Sequence, residues 1–534
     1  MSLQAVLTRG ERRVAVSVNP ATMKKLDEVE LMTPREIDAA VQRAAQAFPA
    51  WSSRSVEERA SLLRKVQAAL VDRTDEVAET ISTEMGKPKF EAVVHDVMTV
   101  VNLLDYCAKR GPKILREEPI RMSLLFRAFK KSSIVRRPYG VVAVISPWNY
   151  PFAIPMSGIL FALLAGNTVV FKPATEVVLV GRKIKELFQA AGLPPGTVEL
   201  VLASGRDVGD TLFKPPVRKV VFTGSTAVGQ EVLKRCSANI IPSVLELGGK
   251  DPMVVLEDAD VELAANGAVW GAFTNCGQVC ASIERAYVHE SLYDDFVKRV
   301  AEKTKALKLG PWTDPAAQVG PMVSPGQLQI VEEQVNDAVK RGAEAVAGGK
   351  NREDLGGFYY EPTVLVKVNH QMKVMREETF GPVLPIMKFK TEEEAVALAN
   401  DTVYGLTASV WGRDLKRARR VAERIEAGTV CVNDHAYTYG AVETPWQGFK
   451  ESGLGVSHSA WGLREFTLPI HINEPGGLMG KAAARMATRP WFYPYTPERF
   501  ETARMLTKKF FDPRRSGASK LALLPKALKF ARGK

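Results

Sequence analysis

Short β-branched runs alternate with helical stretches from Gly140 onward, and this alternation restricts the fold more than any other feature of the chain. The first series contains GVVAVISPW, NTVVFKPA, TVELVLAS, VRKVVFTG and PSVLELGG, with stretches such as VLVGRKIKELFQAAG between them. Apolar runs that alternate with helices are typical of βαβ units, whose parallel strands are buried on both faces. The sequence therefore predicts an α/β fold with a parallel sheet.

A second series of the same kind follows Cys280. It contains the strand ERAYVHE, the helix SLYDDFVKRVAEKTKALK and the later runs VLPIMKF, TEEEAVALAND, LTASVW and GTVCVND. The chain has 534 residues, more than a single hydrophobic core usually supports. We therefore expect two α/β domains in tandem. Capping boxes at TPRE (33–36) and SVEE (55–58) predict amphipathic helices before them.

The net charge of +12 is concentrated at the C-terminal end. From Pro475 to Lys534 there are 14 Lys and Arg against 3 Asp and Glu, so the first 474 residues carry only +1. A nucleic-acid-binding protein would be expected to carry its basic face on a folded domain. The charge distribution therefore argues against nucleic acid as a partner.

The N-terminal stretch, the lengths of the apolar runs and the cysteine content bear on the protein's location. The N-terminal stretch has no apolar core of signal-peptide length, and no run approaches the roughly 18 apolar residues of a spanning helix. Five scattered cysteines in a chain of this length indicate reduced thiols rather than a disulfide framework. These features predict a cytoplasmic protein.

The stretch GAFTNCGQVCASIER, residues 271–285, holds Cys276 and Cys280 four positions apart. The pair could ligate a metal, form a disulfide or a redox couple, or include a nucleophile. A metal site is disfavoured because two cysteines without a nearby histidine supply only two ligands, and we expect no metal. The local sequence does not decide between a disulfide, a redox couple and a nucleophile.

Four further motifs carry polar groups at strand ends. FTGSTAVGQ, residues 222–230, places Gly224, Ser225 and Gly229 where a helix begins, and free N–H groups there can bind a phosphate. In KPAT, residues 172–175, a lysine ends a strand and could hydrogen-bond a ribose or phosphate. Either motif could equally be an ordinary turn with a solvated side chain.

LELGGKDP and PWNYP add two groups suited to catalysis. Glu246 lies in an apolar strand, where burial raises a carboxyl pKa and suits it to general-base work, although a buried structural ion pair is the plainer alternative. Asn149 lies between two prolines that could hold its amide toward a developing oxyanion, or that could simply end a strand.

Taken in order, these motifs together with EETFGP and a late SGxG closely resemble the aldehyde dehydrogenase superfamily over residues 20–470. Glu246 and Cys280 lie 34 residues apart, the family's usual interval. The basic C-terminal extension makes the chain most similar to bacterial succinate-semialdehyde dehydrogenase-like members. The resemblance implies a Rossmann-like parallel-sheet cofactor domain, an α/β catalytic domain and a β oligomerisation arm. The implied ranges are 1–118 and 140–248 for the cofactor domain, 249–452 for the catalytic domain, 119–139 and 453–473 for the arm, and 474–534 for the extension.

The resemblance also implies an NAD(P)-dependent mechanism. Cys280 would attack an aldehyde to form a thiohemiacetal and then a thioester, and Cys276 would be a bystander. Asn149 and the Cys280 N–H would stabilise the oxyanion, and Glu246 would activate the hydrolytic water. The residues implied to bind NADP or NAD are Ser146, Trp148, Lys172, Thr175, Gly224, Ser225, Gly229, Glu378 and Phe380.

Departures from the family pattern predict cofactor and substrate preference. NAD-preferring members commonly carry Glu at the position of Thr175, and a carboxylate there repels the 2′-phosphate of NADP, so we expect NADP to be accepted. Succinate-semialdehyde dehydrogenases carry an arginine where this chain has Ser157, which favours an apolar aliphatic or aromatic aldehyde. The usual Pro-Phe-Gly-Gly is here PWQG at 445–448, a change that could reshape the substrate funnel.

Two further functions are compatible with the same motifs. Succinate-semialdehyde dehydrogenase is the first, and a catalytically silent scaffold at a membrane surface is the second. A cysteine acyltransferase would need a histidine base, and none of the six histidines lies near Cys280 in sequence. CoA-acylating members of the family typically lack a carboxylate at the position of Glu246, so its presence favours hydrolysis.

The predicted arm strands and the C-terminal tail bear on assembly and on membrane contact. Residues 120–140 and FTLPIHI correspond to the family's oligomerisation arm, so we expect a homodimer or homotetramer. In the tail, Leu521, Leu524 and Leu528 recur at helical spacing among basic residues, with Pro525 expected to kink the helix. This segment could be a solvated terminus, a contact with a partner subunit, or an interfacial helix on anionic lipid.

Overall fold

The computed structural model describes residues 6–9, 12–122, 127, 130–435, 437–476 and 493–531. The chain divides into two compact units. The larger comprises Met1–Ile114 and Pro138–Thr467, and the smaller comprises Leu115–Arg137 and Leu468–Lys534.

The larger unit opens with a three-stranded antiparallel sheet that the sequence patterns did not predict. Its strands are β1 (Val6–Arg9), β2 (Arg12–Val18) and β3 (Lys25–Glu30). The helices that follow confirm both predicted capping boxes. Thr33 caps α1 (Pro34–Ser52) and Ser55 caps α2 (Val56–Asp72), each with the reciprocal glutamate contact.

A six-stranded sheet of order β18-β10-β9-β6-β7-β8 forms from the first series of apolar runs. Its strands are β6 (Val141–Ile145), β7 (Thr168–Lys172), β8 (Val198–Leu200), β9 (Val217–Thr223), β10 (Ser243–Glu246) and β18 (Gly453–Leu454). The first five are parallel, and β18 runs antiparallel to β10 with Glu246 opposite Gly453. Glu246 therefore lies at the carboxyl end of a parallel strand, where open α/β sheets place their sites.

A seven-stranded sheet of order β13-β14-β15-β12-β11-β16-β17 contains the predicted strands of the second series, and β11 and β13, which were not predicted, also belong to it. Its strands are β11 (Asp251–Val255), β12 (Ile283–His289), β13 (Glu344–Ala347), β14 (Thr363–Val366), β15 (Val383–Phe389), β16 (Thr407–Trp411) and β17 (Thr429–Val432). Every pair is parallel except β13 with β14. The two sheets confirm the predicted α/β fold with Rossmann-like parallel sheets.

The larger unit also contains the following helices. They are α3 (Thr74–Met85), α4 (Lys89–Glu91), a π-helical stretch (Ala92–Met98), α5 (Thr99–Leu115), α6 (Ala153–Ala165), α7 (Val178–Ala190), α8 (Gly205–Val208), α9 (Thr226–Ala238), α10 (Val261–Phe273), α11 (Tyr293–Ala306), α12 (Pro325–Lys340), α13 (Lys373–Arg376), α14 (Glu392–Asn400), α15 (Leu415–Ala422) and α16 (Ser459–Arg464). The π-helical stretch joins α4 to α5, and such insertions are frequent at functional sites.

The smaller unit contains a three-stranded sheet of order β19-β5-β4. Its strands are β4 (Glu118–Pro119), β5 (Lys130–Pro138) and β19 (Thr467–Pro475), with β4 antiparallel to β5. The part of the predicted hairpin at 123–126 and 128–129 lies outside the described residues. The tail contains the helices α17 (Pro497–Phe510), α18 (Gly517–Leu521) and α19 (Leu524–Ala531). Pro525 was expected to kink one long helix, but it lies in the first turn of α19. Proline is tolerated there because the first turn of a helix needs no intrahelical N–H donor.

The predicted division into domains stays a prediction, although the structure shows which strands lie near its boundaries. Both large sheets belong to one unit, so the boundary between 248 and 249 stays a prediction. The predicted arm begins at 453, but β18 at that position pairs with β10, and the arm strand β19 starts only at Thr467. Within the part of the chain that is described, no helix is long and apolar enough to cross a membrane, and no His, Cys, Asp or Glu cluster could hold a metal.

Candidate active site

Cys280 lies in a tight segment between α10 and β12. A 3₁₀ turn, Thr274–Gly277, begins the segment, and Asn275 and Cys276 adopt left-handed backbone angles with φ of 50° and 56°. Such angles are strained for residues other than glycine and cluster at functional sites. Burial raises the pKa of the Cys280 thiol, and both Cys276 and Cys280 carry free thiols.

The two cysteines have different surroundings. Cys276 is buried in the hydrophobic core, with its Sγ 3.6 Å from the Sδ of Met322. Cys280 is partly exposed and lines two cavities, neither of which includes Cys276. Only Cys280 is therefore placed to meet a ligand.

The first cavity beside Cys280 has a volume of about 510 Å³. Its walls come from the π-helical stretch, α5, α10 and the segment that leads to Trp446. The lining residues are Val94, His95, Met98, Thr99, Asn102, Tyr150, Ile154, Trp270, Gly271, Thr274, Val279, Cys280, Ala281, His435, Tyr439, Gly440 and Trp446. None of these is Lys, Arg, Asp or Glu, so among the described residues the wall carries no formal charge at neutral pH unless a histidine is protonated.

The two histidines of this wall are held neutral. Burial lowers the pKa of His95 and of His435 to about 4. The Nε2 of His435 lies 2.6 Å from the carbonyl oxygen of Ala281, so this ring is engaged next to Cys280. His435 is therefore near Cys280 in space although the two are far apart in sequence. The ring of His435 bonds to a backbone carbonyl and not to the Cys280 thiol.

The second cavity, of about 30 Å³, lies on the Glu246 side of Cys280. Glu246, Ser157, Tyr439, Trp446 and Ser457 are among its lining residues. A cavity of this volume has room for about one water molecule, and its wall combines the Glu246 carboxyl group with mainly apolar side chains. Cys280 therefore lies between a large apolar cavity and a small one that contains a carboxyl group.

The carboxyl group of Glu246 is buried. Its pKa is raised to about 8, chiefly because burial penalises the charged form, while hydrogen bonds from Ser457 and Trp446 act in the opposite sense. The Oγ of Ser457 donates to Oε1 of Glu246 at 2.9 Å. Both partners lie in the late part of the chain, and Trp446 is one of the two residues of PWQG that depart from the family pattern.

Asn149 is held by a buried ion pair that the sequence analysis did not identify. Its Nδ2 donates to the carbonyl oxygen of Gln278 at 3.1 Å, next to the Cys280 segment. Lys87 donates from Nζ to the Asn149 carbonyl at 2.8 Å and to Asp96 Oδ2 at 3.1 Å. Asp96 Oδ1 accepts from the backbone N–H groups of Phe152 and Ala153, so it fixes the start of α6 directly after Asn149.

Glycines allow the close approach of the loops around Cys280. A Cβ on Gly277 would lie 2.2 Å from the carbonyl oxygen of Gly381, and φ there is +69°. A Cβ on Gly249 would lie 2.3 Å from the carbonyl oxygen of Cys280. Both distances are shorter than any side chain permits, so the LELGGK, GQVC and EETFGP motifs meet only because glycine occupies these positions.

The predicted cofactor residues of the six-stranded sheet lie at its carboxyl end. Ser146 and Lys172 end the neighbouring strands β6 and β7, with the Ser146 N–H bonded to the Lys172 carbonyl at 3.1 Å. Among the described residues, the buried Oγ of Ser146 has no partner. Lys172 is buried, which lowers the pKa of its ammonium group. Thr175 donates from Oγ1 to Glu176 Oε2 at 3.2 Å.

The glycine-rich turn stands beside these strands. The N–H of Gly224 bonds to the Glu246 carbonyl oxygen at 3.1 Å. Ser225 is the N-cap of α9 but makes no capping bond with its side chain, and Gly229 lies in the first turn of that helix. The helix start therefore has free N–H groups near strands β9 and β10.

The EETFGP motif leads into the amino end of β15 and contacts the glycines that follow β10. Glu378 Oε1 accepts from the Gly249 N–H at 3.0 Å, and burial raises the pKa of Glu378 to about 8. Phe380, with φ of +50°, meets Trp148 edge to face at 5.3 Å between ring centroids. Glu284 holds this loop by accepting from the N–H groups of Thr379 and Phe380 at 2.7 and 2.8 Å, and it pairs with Lys250.

The sequence analysis did not identify the supporting residues of the site. They are Lys87, Glu91, Asp96, Lys250, Glu284 and Ser457. Charged residues inside apolar stretches are a signal that could have identified Asp96 and Glu284, since buried charges need partners, whereas Lys87 in MGKPK gives no such signal. Ser457 gives no such signal.

Comparison with known proteins was made for the whole chain. A family model described as the aldehyde dehydrogenase family matches residues 7–472. A 4,4'-diapolycopene aldehyde oxidase of Methylomonas sp is 39% identical over 485 residues, covering 91% of this chain and 89% of that protein. The NADP(+) succinate-semialdehyde dehydrogenase of Escherichia coli (strain K12) is 36% identical over 449 residues, covering 84% and 92%. The betaine aldehyde dehydrogenase of Staphylococcus aureus, solved in complex with NAD+, superposes with a TM-score of 0.82 at 33% identity, covering 86% and 91%.

Proposed function

The chain belongs to the aldehyde dehydrogenase family, and from this premise we propose that it oxidises an apolar aliphatic or aromatic aldehyde to the carboxylic acid through Cys280. The family uses NAD or NADP. The observation that carries the substrate proposal is the uncharged cavity of about 510 Å³ beside Cys280. Pockets of this size enclose most of a small ligand, and apolar walls favour an apolar one.

Succinic semialdehyde is the weaker candidate because its carboxylate would lack a cation. No Lys or Arg is among the described residues that line the cavity, and His95 and His435 are neutral at pH 7 with pKa values of about 4. An unpaired carboxylate in such surroundings costs free energy. The names of the relatives specify different aldehydes, so family membership alone does not decide between an apolar aldehyde and succinic semialdehyde.

The residues present fit a dinucleotide. The unpartnered hydroxyl of Ser146, the buried ammonium group of Lys172 and the free N–H groups at Ser225 offer hydrogen bonds to ribose and phosphate. Thr175, Gly224, Gly229 and Glu378 complete this set, and Trp148 and Phe380 would contact the nicotinamide end. The neutral Thr175 leaves room for NADP, and the bound cofactor supplies a hydride acceptor.

In the first half-reaction the residues of the Cys280 segment would bind the aldehyde covalently. The Cys280 thiol gives its proton to water, and the thiolate sulfur attacks the carbonyl carbon, so that the C=O π bond opens to give a thiohemiacetal oxyanion. The Nδ2 of Asn149 and the backbone N–H of Cys280 would stabilise the oxyanion. Lys87 and Asp96 support this role because they fix the main chain on both sides of Asn149.

Loss of a hydride from the thiohemiacetal carbon, for which the bound dinucleotide would be the acceptor, would leave a thioester on Cys280. In the second half-reaction Glu246 would promote hydrolysis of this thioester. Its ionised carboxylate takes a proton from a water in the small cavity, the water oxygen attacks the thioester carbon, and the C–S bond breaks to release the acid and the Cys280 thiolate. The cavity's volume of about 30 Å³ and the position of Cys280 in its wall support this assignment. A pKa of about 8 means that Glu246 is largely protonated at pH 7.

Initial rates with four aldehydes would test the proposal. We expect a higher kcat/KM for hexanal and benzaldehyde than for succinic semialdehyde, with both NAD and NADP, and activity should disappear in Cys280→Ala. Betaine aldehyde would serve as the charged control. A KM for succinic semialdehyde far below that for hexanal would favour the alternative.

Assembly and location are also proposals. The strand β19, at one edge of the sheet β19-β5-β4, supports a homodimer or homotetramer, because exposed edge strands are usually paired. The free thiols support a cytoplasmic location. In the tail, Phe500 and Phe511 are exposed near Lys508 and Lys509, a composition that supports contact with anionic lipid. Co-sedimentation with anionic vesicles, comparing the intact chain with one truncated after Pro513, tests the membrane proposal.

A further inference from the structure

A surface groove adjoins the Cys280 cavity, and we infer that it receives the distal end of a long-chain apolar aldehyde. The groove has a volume of about 480 Å³. This inference rests on the proposed function, and it adds chain length to the substrate's description. The lining residues are Pro88, Phe90, Glu91, His95, Asn266, Val269, Trp270, Phe273, Thr274, Lys303, Leu307, Ala317, Gln318 and Val319.

The groove and the cavity share a wall. His95, Trp270 and Thr274 line both, and the rings of His95 and Trp270 meet edge to face at 6.2 Å between centroids. Trp270 is 44% exposed and Met98, on the cavity side, is 55% exposed. A chain that leaves the cavity over this partition therefore continues into the groove without crossing a charged surface.

The groove has an apolar character because its charged groups are engaged elsewhere. Glu91 accepts from the Asn275 N–H and from the Thr274 hydroxyl. Lys303 donates to Glu262 Oε1 at 2.6 Å. Apolar side chains, from Phe90, Val269, Phe273, Leu307 and Val319, make up much of the remaining surface.

Phe90 shows most clearly that the groove lacks an occupant within the described chain. Its side chain is 74% exposed although it stands at the edge of an apolar depression. Exposed aromatic groups beside a pocket mark binding surfaces. We assign the substrate as the ligand of the groove because the groove shares a wall with the Cys280 cavity. A substrate bound at Cys280 can place its far end at this shared wall.

The experiment measures kcat/KM for hexanal, decanal and hexadecanal, each below its aggregation concentration. Hexanal is the short-chain reference that should remain near Cys280, whereas the inference places the far end of hexadecanal, ten carbons longer, beyond the partition. In the native enzyme kcat/KM should rise with chain length by up to about fourfold for each methylene that becomes buried. Phe90→Asp should lower kcat/KM for hexadecanal by tenfold or more, which corresponds to the lost burial of about two methylene groups. The same substitution should change kcat/KM for hexanal by no more than about twofold. Phe90→Ala should give an intermediate loss.

Leu415→Asp is the matched control. Leu415 is an exposed apolar residue of α15 that lines neither the cavity nor the groove, with 62% of its surface accessible. The Leu415→Asp variant should show the same dependence of kcat/KM on chain length as the native enzyme. This result would exclude a general loss of apolar surface as the cause of the effect of Phe90→Asp.

Three outcomes would overturn the inference. Unchanged rates with hexadecanal in Phe90→Asp would show that the groove is not used. Equal losses for hexanal and hexadecanal together with a smaller sedimentation coefficient would assign the groove to a subunit contact. A native enzyme that oxidises succinic semialdehyde but no alkanal would refute the proposed function itself, and the groove would fail with it.

Discussion

Ser457 donates a hydrogen bond from its hydroxyl to Oε1 of Glu246 at 2.9 Å, although the two residues are 211 positions apart. The antiparallel pairing of β18 with β10 places Gly453 opposite Glu246 and so carries Ser457 to the carboxyl group. A donor to the charged form stabilises the carboxylate, and this bond therefore restrains the rise in pKa that burial causes.

The pH dependence of turnover should follow Glu246. Only the ionised carboxylate accepts a proton, so where thioester hydrolysis limits the rate, kcat should rise with pH through a midpoint of about 8. Ser457→Ala removes a bond to the charged form, which raises the pKa further and should move the midpoint to higher pH. The measurement is kcat against pH for both proteins.

Ser457→Thr is the control for this experiment. It retains a hydroxyl and should keep the native midpoint, although its extra methyl group could lower the overall rate. An identical midpoint in Ser457→Ala and the native enzyme would show that the hydrogen bond does not tune Glu246.

The two neighbouring cysteines should respond differently to removal of the thiol. Cys280→Ala should abolish both dehydrogenase and esterase activity, because the nucleophile is lost. Cys276→Ala should keep most of the activity and lower the thermal midpoint slightly, since its thiol packs in the core. Comparable loss of activity in both variants, with both proteins folded, would contradict the assignment.

Glu246→Gln should separate the two half-reactions. The amide cannot accept a proton from water, so thioester hydrolysis should slow by about 10²-fold or more, in the range of general-base catalysis. Stopped-flow mixing with hexanal should then show a burst of reduced cofactor followed by poor turnover. Absence of the burst would mean that Glu246 acts before hydrolysis.

The buried pair of Lys87 and Asp96 should be necessary for the Asn149 loop. Asp96→Ala leaves the Lys87 ammonium group and two backbone N–H groups without their acceptor, which should cost about 3–5 kcal/mol of unfolding free energy. Denaturant unfolding and kcat should both decline. Asp105→Ala is the control, since its ion pair with Lys109 is exposed and should contribute only about 0–1 kcal/mol. Equal effects of the two substitutions would contradict this role.

Cofactor preference should depend on Thr175. Thr175→Glu places a carboxylate where it repels a 2′-phosphate, so kcat/KM for NADP should fall by about tenfold or more while that for NAD changes little. Glu176→Gln removes the carboxylate that bonds to Thr175 and should improve NADP relative to NAD. Initial rates with both cofactors check this. A native kcat/KM for NAD far above that for NADP would refute the expectation that NADP is accepted.

The sequence by itself determined most strands of the two large sheets and the identity of several site groups. The β-branched runs became β6 to β10, β12 and β15 to β17, because buried parallel strands require continuous apolar residues, whereas β11, β13 and β18 were not predicted. The capping boxes at Thr33 and Ser55 are equally local, since cap and helix lie within four residues. The order of motifs likewise pointed to Cys280, Glu246 and Asn149 without any knowledge of their distances.

Only the tertiary structure decided which groups support them. Lys87 lies 62 residues before Asn149, Glu284 lies 95 residues before Thr379, and Ser457 lies 211 residues after Glu246. Burial and hydrogen bonding depend on which strands and loops meet in space, and a local pattern does not encode that pairing. The same reason applies to the cavities: the raised pKa of Glu246 and the lowered pKa of His435 exist because distant segments close over them and exclude water.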